Sequence, residues 1–258
     1  YKIPELAASR TTASVPIGGK YRLIDFVLSN MSNSGVNNVG IIAKSNFMSL
    51  MDHVGSGSAY DLSKRRSNLT ILTPYNGRTF SNHVETIYNM HGYIENSRED
   101  YVLLSPGNVV TNFDYNGLFD FHSKHDSDIT LVYKRGIVPN GYERPLTIDV
   151  ESDGRVSQVF VKPENIDYEV NQVYGTILVK KDLLLEEIRR AISLNQLDAK
   201  RLIQSILGRF RVYAYENKGY CAAISSINDY FSFNMDLMKK EVRDELFNQK
   251  RPIYTKVR

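Results

Sequence analysis

The apolar runs at residues 39–43 (VGIIA), 69–72 (LTIL), 101–105 (YVLLS) and 129–133 (ITLVY) are too short for helices. Their apolar side chains are consecutive rather than alternate, the pattern of strands covered on both faces. Between them lie segments with apolar residues at helical spacing. Residues 22–33 form one, closed by the helix stop Asn33-Ser34-Gly35. Residues 83–95 form another, with Val84, Ile87, His91 and Ile94 on one face, and 115–125 a third, carrying Leu118, Phe119 and Phe121. Strand and helix in alternation imply βαβ units, hence an α/β fold with a doubly wound, mostly parallel mixed sheet. The run at 101–105 is expected to be central in that sheet.

The texture changes near residue 147. Residues 147–150 and 156–161, joined by Ser152-Asp153-Gly154, predict a hairpin. Residues 174–179 and 211–215 predict strands, while 181–194, 198–207 and 226–238 predict helices, the last with Ser226 as a good N-cap. With no repeat or low-complexity linker, residues 1–240 are expected to form one mixed α/β domain and 241–258 a linker. A doubly wound sheet calls for a strand and a Gly-rich phosphate loop before residues 39–43, and residues 1–16 contain neither.

Charge narrows the function classes. A net charge of +3 from 32 basic and 29 acidic residues, well interspersed, does not provide the basic surface that nucleic acid requires. The run Lys64-Arg65-Arg66 reads as a solvated face. One cysteine, Cys221, cannot form an internal disulfide, which fits a cytoplasmic setting. No apolar run approaches the ~20 residues of a membrane span, and the first residues lack a signal-peptide pattern. The five histidines show no metal-ligand spacing, and His83 and His91 read as helix-surface or satisfied core residues.

The most specific segment is Val15-Pro16-Ile17-Gly18-Gly19-Lys20-Tyr21-Arg22-Leu23-Ile24-Asp25-Phe26, followed by Leu28-Ser29-Asn30. It resembles the G-G-K-[YF]-R-[IL]-I-D-F-x-L-S-N block of bacterial glucose-1-phosphate adenylyltransferases. Further matches follow in order: Gly55-Ser56-Gly57 with Asp61-Leu62, Tyr101-Val102-Leu103, Asp153-Gly154-Arg155-Val156, Lys162-Pro163 and Asn234-Met235-Asp236-Leu237. The resemblance covers almost the whole chain. It implies a Rossmann-like nucleotidyltransferase domain, followed in full-length relatives by a left-handed β-helix that this sequence does not include. It also implies transfer of AMP from ATP to glucose 1-phosphate, with Mg²⁺ held by carboxylates and cations set around the phosphates.

By that same resemblance the chemical groups are largely replaced. Asn108, in Pro106-Gly107-Asn108, stands where the family has the metal-binding Asp of S-G-D. Leu197 falls on the second metal Asp, although Asp198 is one place away and a shifted alignment would restore it. Ala223 replaces a third Asp, Thr12 a Lys, Asn82-His83-Val84-Glu85 the adenine-side G-T-A-D, and Val161 a Glu. Of the family's substrate pocket, Gly107, Lys162 and Gly175 remain beside Asn108. No catalytic residue and no metal ligand is therefore assigned, and no cofactor is expected, although active relatives use Mg²⁺.

A scaffold kept while its site is erased resembles the regulatory, GlgD-type branch of the family. That branch implies a catalytic partner subunit, a hetero-oligomer (a tetramer) and small phosphorylated effectors. Arg10, Lys20 and Arg22 match positions where relatives hold effector phosphates, a task suited to Arg and its paired donors. They also read as ordinary solvated charges. Two other functions stay open: a weak adenylyltransferase using Asp198 or another carboxylate in place of the lost ones, and a stand-alone sugar-phosphate or nucleotide sensor. The aromatic group Tyr230, Phe231 and Phe233 reads as core.

Overall fold

A computed structural model describes residues 3–43, 45–63, 68–73, 83–138, 145–160, 168–195 and 205–256. Val161, Lys162, Leu197, Asp198, Asn82 and the run Lys64-Arg65-Arg66 lie outside them, as does most of the helix expected at 198–207, of which 205–207 are helical.

The first long element is helix α2 (Leu23–Asn33), preceded by a single turn, α1 (Pro4–Ala7), and a short hairpin of β1 (Pro16–Ile17) and β2 (Tyr21–Arg22). Gly18 and Gly19 both have positive φ, 55° and 72°, which explains why a turn this tight carries two glycines. Helix α2 is buried almost all round because it lies between two core clusters. Ile24, Val27, Leu28 and Met31 face one, while Leu23 and Phe26 face the other. It stops where expected: Gly35 is left-handed at φ 75°, and Val36 N donates to Met31 O.

Strand β3 (Asn38–Ile42) pairs in parallel with β4 (Asn68–Leu72), with α3 (Met48–Val54) between them in sequence. The helix expected over 83–95 is interrupted and forms α4 (His83–Asn89) and α5 (His91–Glu95). At the break, Met90 N and Tyr93 N make i→i+3 bonds, and His91 Nδ1 lies 2.6 Å from Tyr88 O. The imidazole thus takes a carbonyl that a continuous helix would use, so His91 is a satisfied structural residue.

The main sheet contains β5 (Tyr101–Leu104), β7 (Ile129–Gly136), β8 (Leu146–Val150), β9 (Val156–Phe160), β10 (Val170–Lys180) and β11 (Val212–Glu216), in the order β11-β7-β10-β8-β9 with β5 also on β10. Helix α6 (Tyr115–Lys124) begins at an Asp114 cap, and α7 (Lys181–Ser193) packs on α4 and α5. The β8–β9 hairpin turns through Gly154 at φ 89°, as its sequence predicts.

The α/β fold and mixed sheet are as expected, but the share of parallel pairing is smaller. Within the described residues only β3–β4 and β7–β11 are parallel, and β10 runs antiparallel to β5, β7 and β8. The 11-residue β10 replaces β5 as the strand that organises the sheet. Strand β5 still has apolar residues on both faces, as its run implied: Tyr101 and Leu103 pack on one cluster and Val102 on another.

Two short strands, β6 (Val109–Val110) and β12 (Ala222–Ala223), form a separate pair, followed by α8 (Ile227–Asp236) and α9 (Lys240–Leu246). Ser226 caps α8 by accepting from Asp229 N, as read from sequence. The segment expected as a linker returns to α2. Asn33 Nδ2 donates to Pro252 O, Tyr254 N donates to Ser29 Oγ, and Ile253 is buried.

Candidate functional site

In open α/β sheets ligands bind beyond the carboxyl ends of strands. Beyond the end of β5 lies the turn Pro106-Gly107-Asn108, and the structure gathers most of the sequence-derived site around it. A Cβ on Gly107 would stand 3.0 Å from Ala13 Cβ and 3.3 Å from Ile24 Cδ1, so this turn lies against the 12–14 turn and the start of α2. Gly175 sits in an irregular stretch of β10 at φ 92°, and a Cβ there would be 3.4 Å from Pro106 Cγ. Gly107 is thus a close-approach position, where a larger residue would displace Ala13 or Ile24, whereas Gly175 is held to glycine by its positive φ rather than by lack of space.

Asn108 and Ala223 come together here, 115 positions apart in sequence. Strand β6 pairs with β12 so that Val109 faces Ala223, and Ile224 N donates to Asn108 O at 2.9 Å. The Asn108 side chain, 4% exposed, donates from Nδ2 to Ile224 O at 3.0 Å. Its amide therefore ties two loops together. A carboxylate at this position would set an acceptor against an acceptor.

The same arrangement decides how the residues present fit a divalent cation. Mg²⁺ requires hard oxygen donors, preferably charged. Asn108 directs an N–H group at a carbonyl, Ala223 has no donor, and among the described residues no three His, Cys, Asp or Glu side chains come together as a metal site. The described part of the site does not fit the ion.

The motif block around Asp25 has a structural role that sequence alone did not assign. Asp25 is fully buried; its Oδ2 accepts Arg22 N at 2.9 Å, and its Oδ1 accepts Tyr60 Oη at 2.6 Å and lies 2.6 Å from His53 Nε2. Burial, then the adjacent carboxylate, pushes the Tyr60 hydroxyl well above its ordinary range. Asn30 clamps the chain just past β6, donating to Thr111 O and accepting Phe113 N. Side chains spaced three to five apart on a buried helix, all polar, were the available signal for these roles.

The three effector candidates are in different environments. Lys20 is exposed at the hairpin tip, with Nζ 5.4 Å from the Tyr21 ring centre, and Arg10 is half-buried. Arg22 is 6% exposed, and its Nη1 donates to Ser49 O at 2.6 Å and Ser49 Oγ at 2.9 Å. It joins β2 to α3, which the reading of it as a surface charge did not anticipate.

Beneath the site is a cavity of about 20 Å³ lined by Ser105, Tyr115, Tyr174, Thr176, Asn217 and Cys221, room for one water. Burial pushes the Cys221 thiol up to about 12 from an ordinary 9.0, so it stays protonated at neutral pH. Alkylation of native protein at pH 8 is therefore expected to be slow and to accelerate with unfolding. Rapid labelling in native buffer would contradict this placement. A larger cleft of about 490 Å³ at Asp100, Tyr101, Lys180, Lys181 and Glu186 lies at the opposite end of β5.

The mixed sheet, with a close-approach turn beyond β5 met by a glycine from β10, is the frame of a nucleotidyltransferase domain. The chain belongs to the nucleotidyl transferase family, whose profile matches residues 2–240. It is similar to the glucose-1-phosphate adenylyltransferase of Clostridium acetobutylicum, 31% identical over 96% of this chain and 67% of that protein. It is also similar to the glycogen biosynthesis protein GlgD of Bacillus subtilis, 26% identical over 100% of this chain and 66% of that protein. The chain thus spans about two thirds of the length of these relatives. The fold matches a solved Bacillus anthracis protein described as a glucose-1-phosphate thymidylyltransferase, with a TM-score of 0.73 at 13% identity, covering 95% of this chain and 91% of that one. Within the described residues no helix is long and apolar enough to cross a membrane.

Proposed function

We propose that this chain is the nucleotidyltransferase domain of a regulatory, non-catalytic subunit of a glucose-1-phosphate adenylyltransferase, acting in glycogen biosynthesis. The observation that carries this reading is the Asn108 amide bonded to Ile224 O, with Ala223 beside it, at positions the family resemblance gives to carboxylates. The glycogen-synthesis setting is supported by similarity along the whole chain both to the Bacillus subtilis GlgD protein and to glucose-1-phosphate adenylyltransferases. The partner is a catalytic subunit in a cytoplasmic hetero-tetramer, and the effectors are small phosphorylated sugars. The exposed Lys20 and the half-buried Arg10 are the phosphate-facing cations, while Arg22 holds β2 against α3.

Such a subunit acts by shifting its partner's conformational equilibrium, which requires preferential interaction with one state. Co-expression with the catalytic subunit is expected to change that subunit's turnover or effector response roughly 5- to 150-fold, the usual span of allosteric coupling. Lys20→Ala is expected to reduce the modulation while leaving assembly intact. The measurement is steady-state kinetics of the purified pair with and without sugar phosphates, alongside sizing. Assembly with kinetics identical to the catalytic subunit alone, under every effector tried, would rule the reading out.

A further inference from the structure

We propose that His122 is an acid-sensitive latch on α6: protonation of its buried imidazole releases the last turn of that helix and opens the cavity beneath the site. The imidazole is 1% exposed. Its Nδ1 lies 2.7 Å from Thr130 Oγ1 on β7, a residue that is itself fully buried. Its ring meets that of Tyr101 on β5 edge to face, with centres 5.5 Å apart. Nε2 is buried and has no hydrogen-bond partner among the described residues, and neither does Ser127 Oγ just past the helix. A neutral ring with its proton on Nδ1 donates to Thr130 and leaves only a lone pair unmet at Nε2. A protonated ring adds a second N–H with no acceptor and puts a charge where water does not reach.

The surrounding charges oppose protonation on balance. Burial, then the Lys180 ammonium on β10, holds the imidazole below its ordinary range. Asp128 and Asp126, in the turn after α6, pull the other way. Both carboxylates are already engaged by Arg211, just before β11, with Nη2 3.2 Å from Asp128 Oδ1 and Nη1 2.5 Å from Asp126 Oδ2. On α6 itself Lys124 is exposed, and the His125 ring lies against Phe121 and Tyr213.

The turn that His122 anchors is already strained. Ser127 N donates to His122 O at 3.0 Å and Asp126 N to Ser123 O at 3.1 Å, which closes the helix through a left-handed residue. Glycine usually fills that position, and here Asp126 does so at φ 45°. At ten residues α6 is about 15 Å long and moves as a rod. Its first residue, Tyr115, lines the cavity with Ser105 and Cys221, and its hydroxyl is 3.3 Å from Ser105 Oγ. Losing the His122 anchor at one end of the rod therefore loosens the Tyr115 wall at the other.

The proposal stands apart from whether the chain is catalytic. Cys221 is the one cysteine of the chain, so thiol labelling reads the opening of this cavity alone. The test is the rate of Cys221 modification in the full chain by dithiodipyridine, which reacts with thiols in acid as well as in neutral solution. Dividing by the rate for an unstructured thiol peptide at the same pH leaves access as the variable. The closed latch excludes a proton that an exposed imidazole takes up near 6.5, so opening is favoured as pH falls below that value. Access is expected to rise severalfold from pH 7.5 to pH 5.5 with unchanged far-ultraviolet circular dichroism, one proton allowing at most about tenfold per unit of pH. His122→Gln, which hydrogen-bonds but does not titrate, is expected to give a flat ratio. Lys180→Gln, which removes the opposing charge, is expected to blunt the rise. The His122 ring resonance of the wild type, assigned by its loss in His122→Gln, is expected to titrate below 6.5. A flat wild-type ratio, a rise that persists in His122→Gln or is undiminished by Lys180→Gln, or a ring that titrates at 6.5 or above would overturn the proposal.

Discussion

Asn108→Asp is expected to leave the chain about a thousandfold or more below an active adenylyltransferase, and to make it less stable. Restoring one carboxylate does not restore a metal site whose neighbour is Ala223. A deficit of ~4 kcal/mol in transition-state stabilisation is about three orders of magnitude in rate. The substitution also removes the Nδ2 donor from Ile224 O in a position that is 4% exposed. A buried acceptor losing its partner costs roughly 1–3 kcal/mol, and a carboxylate facing that carbonyl adds repulsion. ADP-glucose formation measured beside urea unfolding checks both halves. Full activity with unchanged stability would mean that Asn108 is a substituted ligand and not a strap.

The largest effect on folding is expected from Asp25→Ala. That change strands His53, Tyr60 and the Arg22 amide, all of which meet on one fully buried carboxylate. Removing one partner of a buried charged network costs about 3–5 kcal/mol. For a domain of this size that lowers the unfolding temperature by on the order of 10 °C. Asp25→Asn retains an oxygen acceptor and is expected to fall between wild type and Asp25→Ala. Calorimetry of the three proteins decides the order. A loss under about 1 kcal/mol for Asp25→Ala would show that the network contributes little, since surface substitutions already reach about half that.

The two effects differ in how far they were legible. The resemblance pointed to Asn108 and Ala223 as a changed site, and the β6–β12 pairing brings them together. What the Asn108 amide does instead of binding metal depends on Ile224 O, which no local pattern reveals. Asp25 was visible only as part of a motif, because its partners lie 28 and 35 residues further along. Arg22 read as a surface cation because basic residues usually are, and its burial follows from the packing of β2 on α3.

Local chemistry alone determined where elements begin and end. The Asn33-Ser34-Gly35 stop, the Ser226 cap, the Ser152-Asp153-Gly154 turn and the apolar runs of β3, β4, β5 and β7 all rest on interactions within a few residues. Tertiary structure decided what those elements touch. It paired β10 antiparallel with three strands and laid residues 252–254 along α2. It also turned Phe231 outward while burying Phe233. Each of these outcomes depends on burial against residues distant in sequence, and hydrophobic burial is non-directional, so a sequence window does not contain the partner that decides it.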